Sequence, residues 1–166
     1  MSIKPIKPGP GQESVWDYPR PPLLQPVSRH IRIEHQGHLI ADTNRAYRVL
    51  ETSHPPVYYL PPEDLKMEWL QRVPAKQSFC EWKGMAHYYR LVLPNGTTIE
   101  DLAWAYETPT PAFNNIRNYL AFYAQKLDAC YVGDEQVTPQ PGGFYGGWVT
   151  SDVVGPFKGV PGSWGW

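Results

Sequence analysis

Polar and apolar residues alternate from Arg29 to His35, with Ile31 and Ile33 set against Arg32 and Glu34. A period of two marks a strand with one buried face, and the Gln36-Gly37 turn before the apolar stretch His38 to Ala41 completes a hairpin. Arg45 to Glu51 fits strand or helix on spacing. Pro55-Pro56 ends it, and Val57-Tyr58-Tyr59-Leu60 has strong β preference, so both segments are read as strands. Pro61-Pro62-Glu63-Asp64 precedes Leu65 and Trp69, four residues apart, which predicts a two-turn helix. Ser78 to Leu93, the turn Pro94-Asn95-Gly96 and Thr97 to Tyr106 predict a second hairpin. Ile116, Tyr119, Leu120, Tyr123 and Leu127 recur at helical spacing and predict an amphipathic helix from Asn114 to about Ala129.

The remaining stretches lack a period. Met1 to Gln12 mixes Lys, Pro and Gly and reads as a flexible tail. Trp16-Asp17-Tyr18-Pro19-Arg20-Pro21-Pro22 reads as an extended segment whose aromatics cover a sheet. Residues 138–166 carry Gly142-Gly143, Gly146-Gly147 and Gly159 among aromatics, with no regular element, and part of this extension is expected to dock on the body.

Composition narrows the class. The chain has 166 residues, the size of one domain, and its 19 prolines, 14 glycines and 14% aromatic content favour strands and turns over a helical bundle. A formal net charge of -1 supplies no field for nucleic acid or an anionic membrane. No apolar run approaches the length of a spanning helix, and the start Met1 to Pro8 has no apolar core for export, so a cytoplasmic protein is expected. Cys80 and Cys130 are isolated and five histidines follow no ligand spacing, so neither a disulfide framework nor a metal site is expected. Phosphate-loop, dinucleotide and zinc-protease motifs are missing.

Two stretches bring charge into aromatic surroundings. In the first, Asp42, Arg45, Glu51, Thr52 and His54 lie near the Pro55-Pro56 bend; an ion pair of Arg45 or Arg48 with Glu51 on a solvated face is the simpler reading. In the second, Cys80-Glu81-Trp82-Lys83-Gly84, a thiol, a carboxylate and an ammonium precede a glycine that lets a ligand approach. A nucleophilic Cys80 would need His54 or His87 close in space, and a buried, inert thiol is the simpler reading.

Taken together, Glu13-Ser14-Val15-Trp16-Asp17-Tyr18-Pro19-Arg20-Pro21-Pro22, Ala41-Asp42-Thr43-Asn44-Arg45-Ala46, Glu51-Thr52-Ser53-His54-Pro55-Pro56-Val57-Tyr58-Tyr59-Leu60-Pro61, Trp82-Lys83-Gly84 and Trp104-Ala105-Tyr106 resemble the family called domain of unknown function 427. The likeness runs from about Glu13 to Val137. It implies a mainly β (α+β) β-tent, two antiparallel sheets meeting at an angle with one amphipathic helix alongside, and divides the chain into a tail (1–12), the domain (13–137) and an extension (138–166) that covers the site mouth. The family also carries a nucleotidyltransferase-like label. Neither carboxylates spaced for divalent metal nor a phosphate-cradling loop accompanies that label in this sequence.

The expected function is a small-molecule binding module. Its walls would be Trp16, Tyr18, Tyr58, Trp82 and Trp104, and its polar contacts Arg20, Arg45, Glu51, Thr52, His54 and Lys83. An enzyme in the same cleft, of transferase or hydrolase type, would use Glu51 or His54 as general base, with Lys83 or an arginine steadying an anion. A scaffold domain with purely structural aromatics is the third reading. No cofactor is called for, a small molecule is the expected partner, and the oligomeric state stays open.

Overall fold

The computed structural model describes residues 3–166. The first hairpin forms as the alternation dictates. Ile31–His35 pairs antiparallel with His38–Thr43, and its turn places Gln36 and Gly37 at positive φ, which glycine adopts freely. Ile31, Ile33 and His35 are buried while Arg32 and Glu34 are half-buried. Ala129–Val132 and Glu135–Gln136 extend this hairpin into a four-stranded antiparallel sheet.

The second hairpin also stands. Gly84–Val92 and Thr98–Tyr106 pair antiparallel, flanked by Leu70–Cys80 on one edge and Leu120–Phe122 on the other, giving a second four-stranded sheet. A three-stranded antiparallel sheet joins Leu23–Val27, Ala46–Leu50 and Val57–Tyr59. The fold is therefore mainly β and antiparallel, as expected.

Leu102 to Tyr106 is buried throughout, because both faces of its strand are covered. Ala103 and Ala105 face the main core of Ile31, Ile33, Ile40, Leu91 and Phe122, whereas Trp104 and Tyr106 face a second cluster with Tyr59 and Phe113. This strand divides core from site.

The amphipathic helix expected over Asn114 to Ala129 does not form. Short 3-10 turns at Pro111–Ile116 and Ala124–Lys126 bracket the strand Leu120–Phe122, and Asn118 at φ 65 interrupts any helix. Leu120 to Phe122 pairs with Ala103 to Ala105 and Leu120 bridges Leu60, so sheet pairing overrides the helical spacing. The two-turn helix after Pro61 is likewise two separate 3-10 turns, Pro62–Asp64 and Met67–Trp69, parted where Leu65 turns into the core and bridges Ala41.

Val15–Asp17 is a 3-10 turn capped by Ser14 rather than extended chain, and Val15 and Tyr18 pack with Leu50 and Val153. The expected flexible tail falls partly outside the described residues at Met1 and Ser2. From Ile3 onward it runs along the surface, with the Ile6 N–H donating to Gly155 O and Gln12 Nε2 to Ser151 O.

Residues 138–166 are held by backbone pairing. Glu13–Ser14 runs parallel to Val153–Val154, Thr138–Pro139 pairs with Trp148–Val149, and buried Trp148 stacks on Tyr58. No helix among the described residues is long and apolar enough to cross a membrane.

Candidate functional site

A cavity of about 700 Å³ opens between the second hairpin, the Glu51 to Val57 segment and the 138–166 extension. The Cys80 to Gly84 turn is fixed from outside. The Thr110 N–H donates to Lys83 O at 3.0 Å, Thr110 Oγ1 donates to Trp82 O at 2.6 Å, and Gly84 at φ 110 lets this turn lie against Thr108 O. The stitching turns Lys83 toward the cavity and places its Nζ 5.9 Å from the Tyr106 ring centroid and 6.0 Å from that of Phe113.

The Lys83 ammonium makes no ion pair among the described residues, and the polar side chain it reaches is the Cys80 thiol. Burial alone would lower its pKa, but Tyr59, Cys80 and Glu51 outweigh that and hold it above the ordinary lysine range. It stays charged, and its open side is the cavity.

His54 lies on the adjacent wall with its ring largely buried. Gln140 decides its tautomer. The Gly147 N–H donates to Gln140 Oε1 at 3.0 Å, which identifies the amide oxygen; Gln140 Nε2 then donates to Lys158 O at 2.9 Å and to His54 Nδ1 at 3.1 Å. An Nδ1 that accepts puts the proton on Nε2, which faces Glu51 Oε2 at 3.7 Å. Burial lowers the His54 pKa to about 4, partly opposed by Glu51 and reinforced by Lys158, Arg20 and Lys83, so the ring is neutral at pH 7. Glu51 Oε2 also accepts from Arg20 Nε at 3.2 Å.

The sequence-expected residues thus divide. Glu51, His54, Trp82, Lys83 and Trp104 line one cavity. The other six do not. Trp16 donates its indole N–H to Pro156 O and packs edge-on against Trp166. Tyr18 is buried with its hydroxyl on Glu13, and Thr52 Oγ1 donates to Tyr18 O. Arg20 braces Glu51 and also donates to Thr52 O. Arg45, just before the strand Ala46–Leu50, pairs with Asp64 of the Pro62–Asp64 turn. Tyr58 is core, stacked on Trp148. The simpler ion-pair reading also fails in its partners, since Arg48 pairs with Glu13.

Cys80 lines the cavity, but His87 is engaged by Arg72 and Glu107 and does not line it. Cys130 is the buried, inert thiol, and burial pushes its pKa up to about 12. Among the described residues no three His, Cys, Asp or Glu side chains converge as a metal site.

Sequence reasoning missed Gln140, Tyr145 and Lys158, all in the extension. The glycine doublets were the available signal. At Gly146 a Cβ would stand 2.2 Å from the Trp104 ring, and at Gly147 it would meet Pro55 O at 2.6 Å, so only glycine lets this segment lie flat on the site.

No curated protein matches the chain. A family model does, over residues 23–133, which takes in Glu51, His54, Lys83 and Trp104 and ends before the extension. A match over well more than half of its length places the chain in the family described as domain of unknown function 427 (DUF427).

Proposed function

We propose that this domain binds a small molecule in the cavity between the second hairpin and the extension. The carrying observation is Lys83, a charged, mostly buried ammonium that no carboxylate pairs with among the described residues and whose open side is the cavity. A buried charge left unpaired is costly, and sites that take ligands are where such charges persist. Aromatic walls from Tyr59, Trp82, Trp104 and Tyr145, and a volume within the usual range of small-molecule sites, support the same reading.

The arrangement favours binding over catalysis by His54. Its one free lone pair, on Nδ1, is occupied by Gln140, so the ring has no vacant base toward the cavity. Glu51 Oε1 accepts no protein hydrogen bond among the described residues, and Glu51 remains the acid–base candidate of the enzyme reading.

A metabolite screen by thermal shift, with mass detection of any product, tests the proposal. Hits that raise Tm for the wild-type protein and are lost in a folded Lys83→Met variant support it. An empty screen, or hits untouched by every cavity substitution, overturns it, and turnover of a hit moves the site to the enzyme reading.

A further inference from the structure

We propose that the cavity takes a planar aromatic anion, with its carboxylate or phosphate seated between Lys83 and Lys158 and its ring against Trp104 and Tyr145. This rests on the small-molecule reading and names the class of molecule.

The anion follows from two ammonium groups brought to the cavity by different segments. Lys83 comes from the turn before Gly84, and Lys158 from the extension, where its Nζ donates to the main-chain oxygen of Trp166 at 3.1 Å and stands 5.7 Å from the Tyr145 ring. Among the described residues neither pairs with an Asp or Glu side chain, although Lys158 is already held by Trp166 O, an oxygen of the last residue. Both line the same cavity, and Lys158 lies 5.7 Å from the Tyr145 ring, which itself stands 5.1 Å from His54 on the cavity wall. Of the acids that line the cavity, Glu51, Glu81 and Asp101, Asp101 is paired with Lys76 and Glu51 has one oxygen already facing Arg20 and His54. A cationic ligand would be repelled here, and a neutral one would leave Lys83 without a partner.

The planar ring follows from the walls. The Trp104 indole is fixed by its N–H on the Tyr59 hydroxyl at 3.3 Å and by the Tyr123 ring at 4.7 Å, and Gly146 holds the extension against it. Tyr145 stands edge-on to His54 at 5.1 Å, beside Lys158. Rigid aromatic faces next to ammonium groups match a ring that carries its charge at one end.

Naphthoate, naphthyl phosphate, naphthamide and naphthylmethylamine share one ring system and differ in charge. Titrated calorimetrically into the wild-type protein, the better of the two anions should bind roughly tenfold or more tighter than the amide, and the amine more weakly still. Naphthoate and naphthyl phosphate ranked against each other tell which anion the site takes. Lys83→Met should erase the preference, and Lys158→Met should reduce it. Should Lys83→Met fail to fold by circular dichroism, Lys158→Met carries the test, with Lys83→Arg expected to keep the preference. Equal binding of anion and amide, absence of binding by both anions, or an unchanged preference in the folded variants overturns the inference. Equal binding of all four probes would still leave a small-molecule site, whereas an empty metabolite screen removes that as well.

Discussion

Gln140 and His54, 86 residues apart, are joined by a hydrogen bond whose direction is fixed by the backbone: Gly147 claims the amide oxygen, so the amide nitrogen must donate to Nδ1. The extension thereby sets the protonation of a histidine that lies inside the family-matched region. Gln140→Glu replaces that donor with an acceptor and a charge. The His54 pKa should rise from about 4 by a unit or more, and stability should fall by about 1–3 kcal/mol as Lys158 O loses its donor. Titration by heteronuclear NMR of the ring nitrogens measures the first, and an unchanged pKa would show that Gln140 does not govern the ring.

His54 also makes stability depend on pH. Its folded-state pKa of about 4 lies below the ordinary histidine value of 6.5, so the contribution is fully present above pH 6.5. As pH falls the unfolded chain takes up the proton first, and stability declines from pH 6.5 through about 4, where the loss levels off at about 3 kcal/mol. Urea unfolding at pH 7 and pH 4.5 should show most of this difference in the wild-type protein and little of it in His54→Gln. Equal slopes for the two proteins would assign the dependence to another group.

Gly146→Ala tests the close approach of the extension to Trp104. A methyl group 2.2 Å from the ring must move either the indole or the backbone, at about 1–3 kcal/mol. Tm should drop and the tryptophan emission should shift, whereas Gly165→Ala, with nothing near its Cβ, should leave both unchanged.

The hairpin of Ile31 to Thr43 was legible because one face is buried and the other is not, which writes a period of two into the sequence. The 114–129 segment was misleading for the converse reason. Ile116 and Leu120 are both buried, but in different clusters on opposite sides of the sheet, and their spacing imitates a helix stripe by coincidence. The site was half legible in the same sense. Glu51, His54 and Lys83 stand out as charges among aromatics, whereas Gln140, Tyr145 and Lys158 reach the cavity because backbone bonds from Trp148 to Pro56 and from Lys158 to Ser53 hold the extension there, which no local pattern records.

Deleting residues up to Gln12 should leave Tm nearly unchanged, since 3–12 are mostly exposed. A deletion that begins the chain at Pro19 removes Val15 and Tyr18 from their cluster with Leu50 and Val153 and should cost roughly 3 kcal/mol or more. Thermal melts of the two truncations decide this, and matching Tm values would show that Val15 and Tyr18 contribute no net cover.

The bond from Trp16 to Pro156 spans 140 residues, and Glu13–Ser14 pairs with Val153–Val154 beside it. Closing a loop of that length costs chain entropy, and native-state hydrogen exchange is expected to find the extension opening before the sheets. A ligand bound between Lys83 and Lys158 would act as a latch on that opening, and its presence would register as slowed amide exchange at Gln140 to Trp148 before any change in global unfolding.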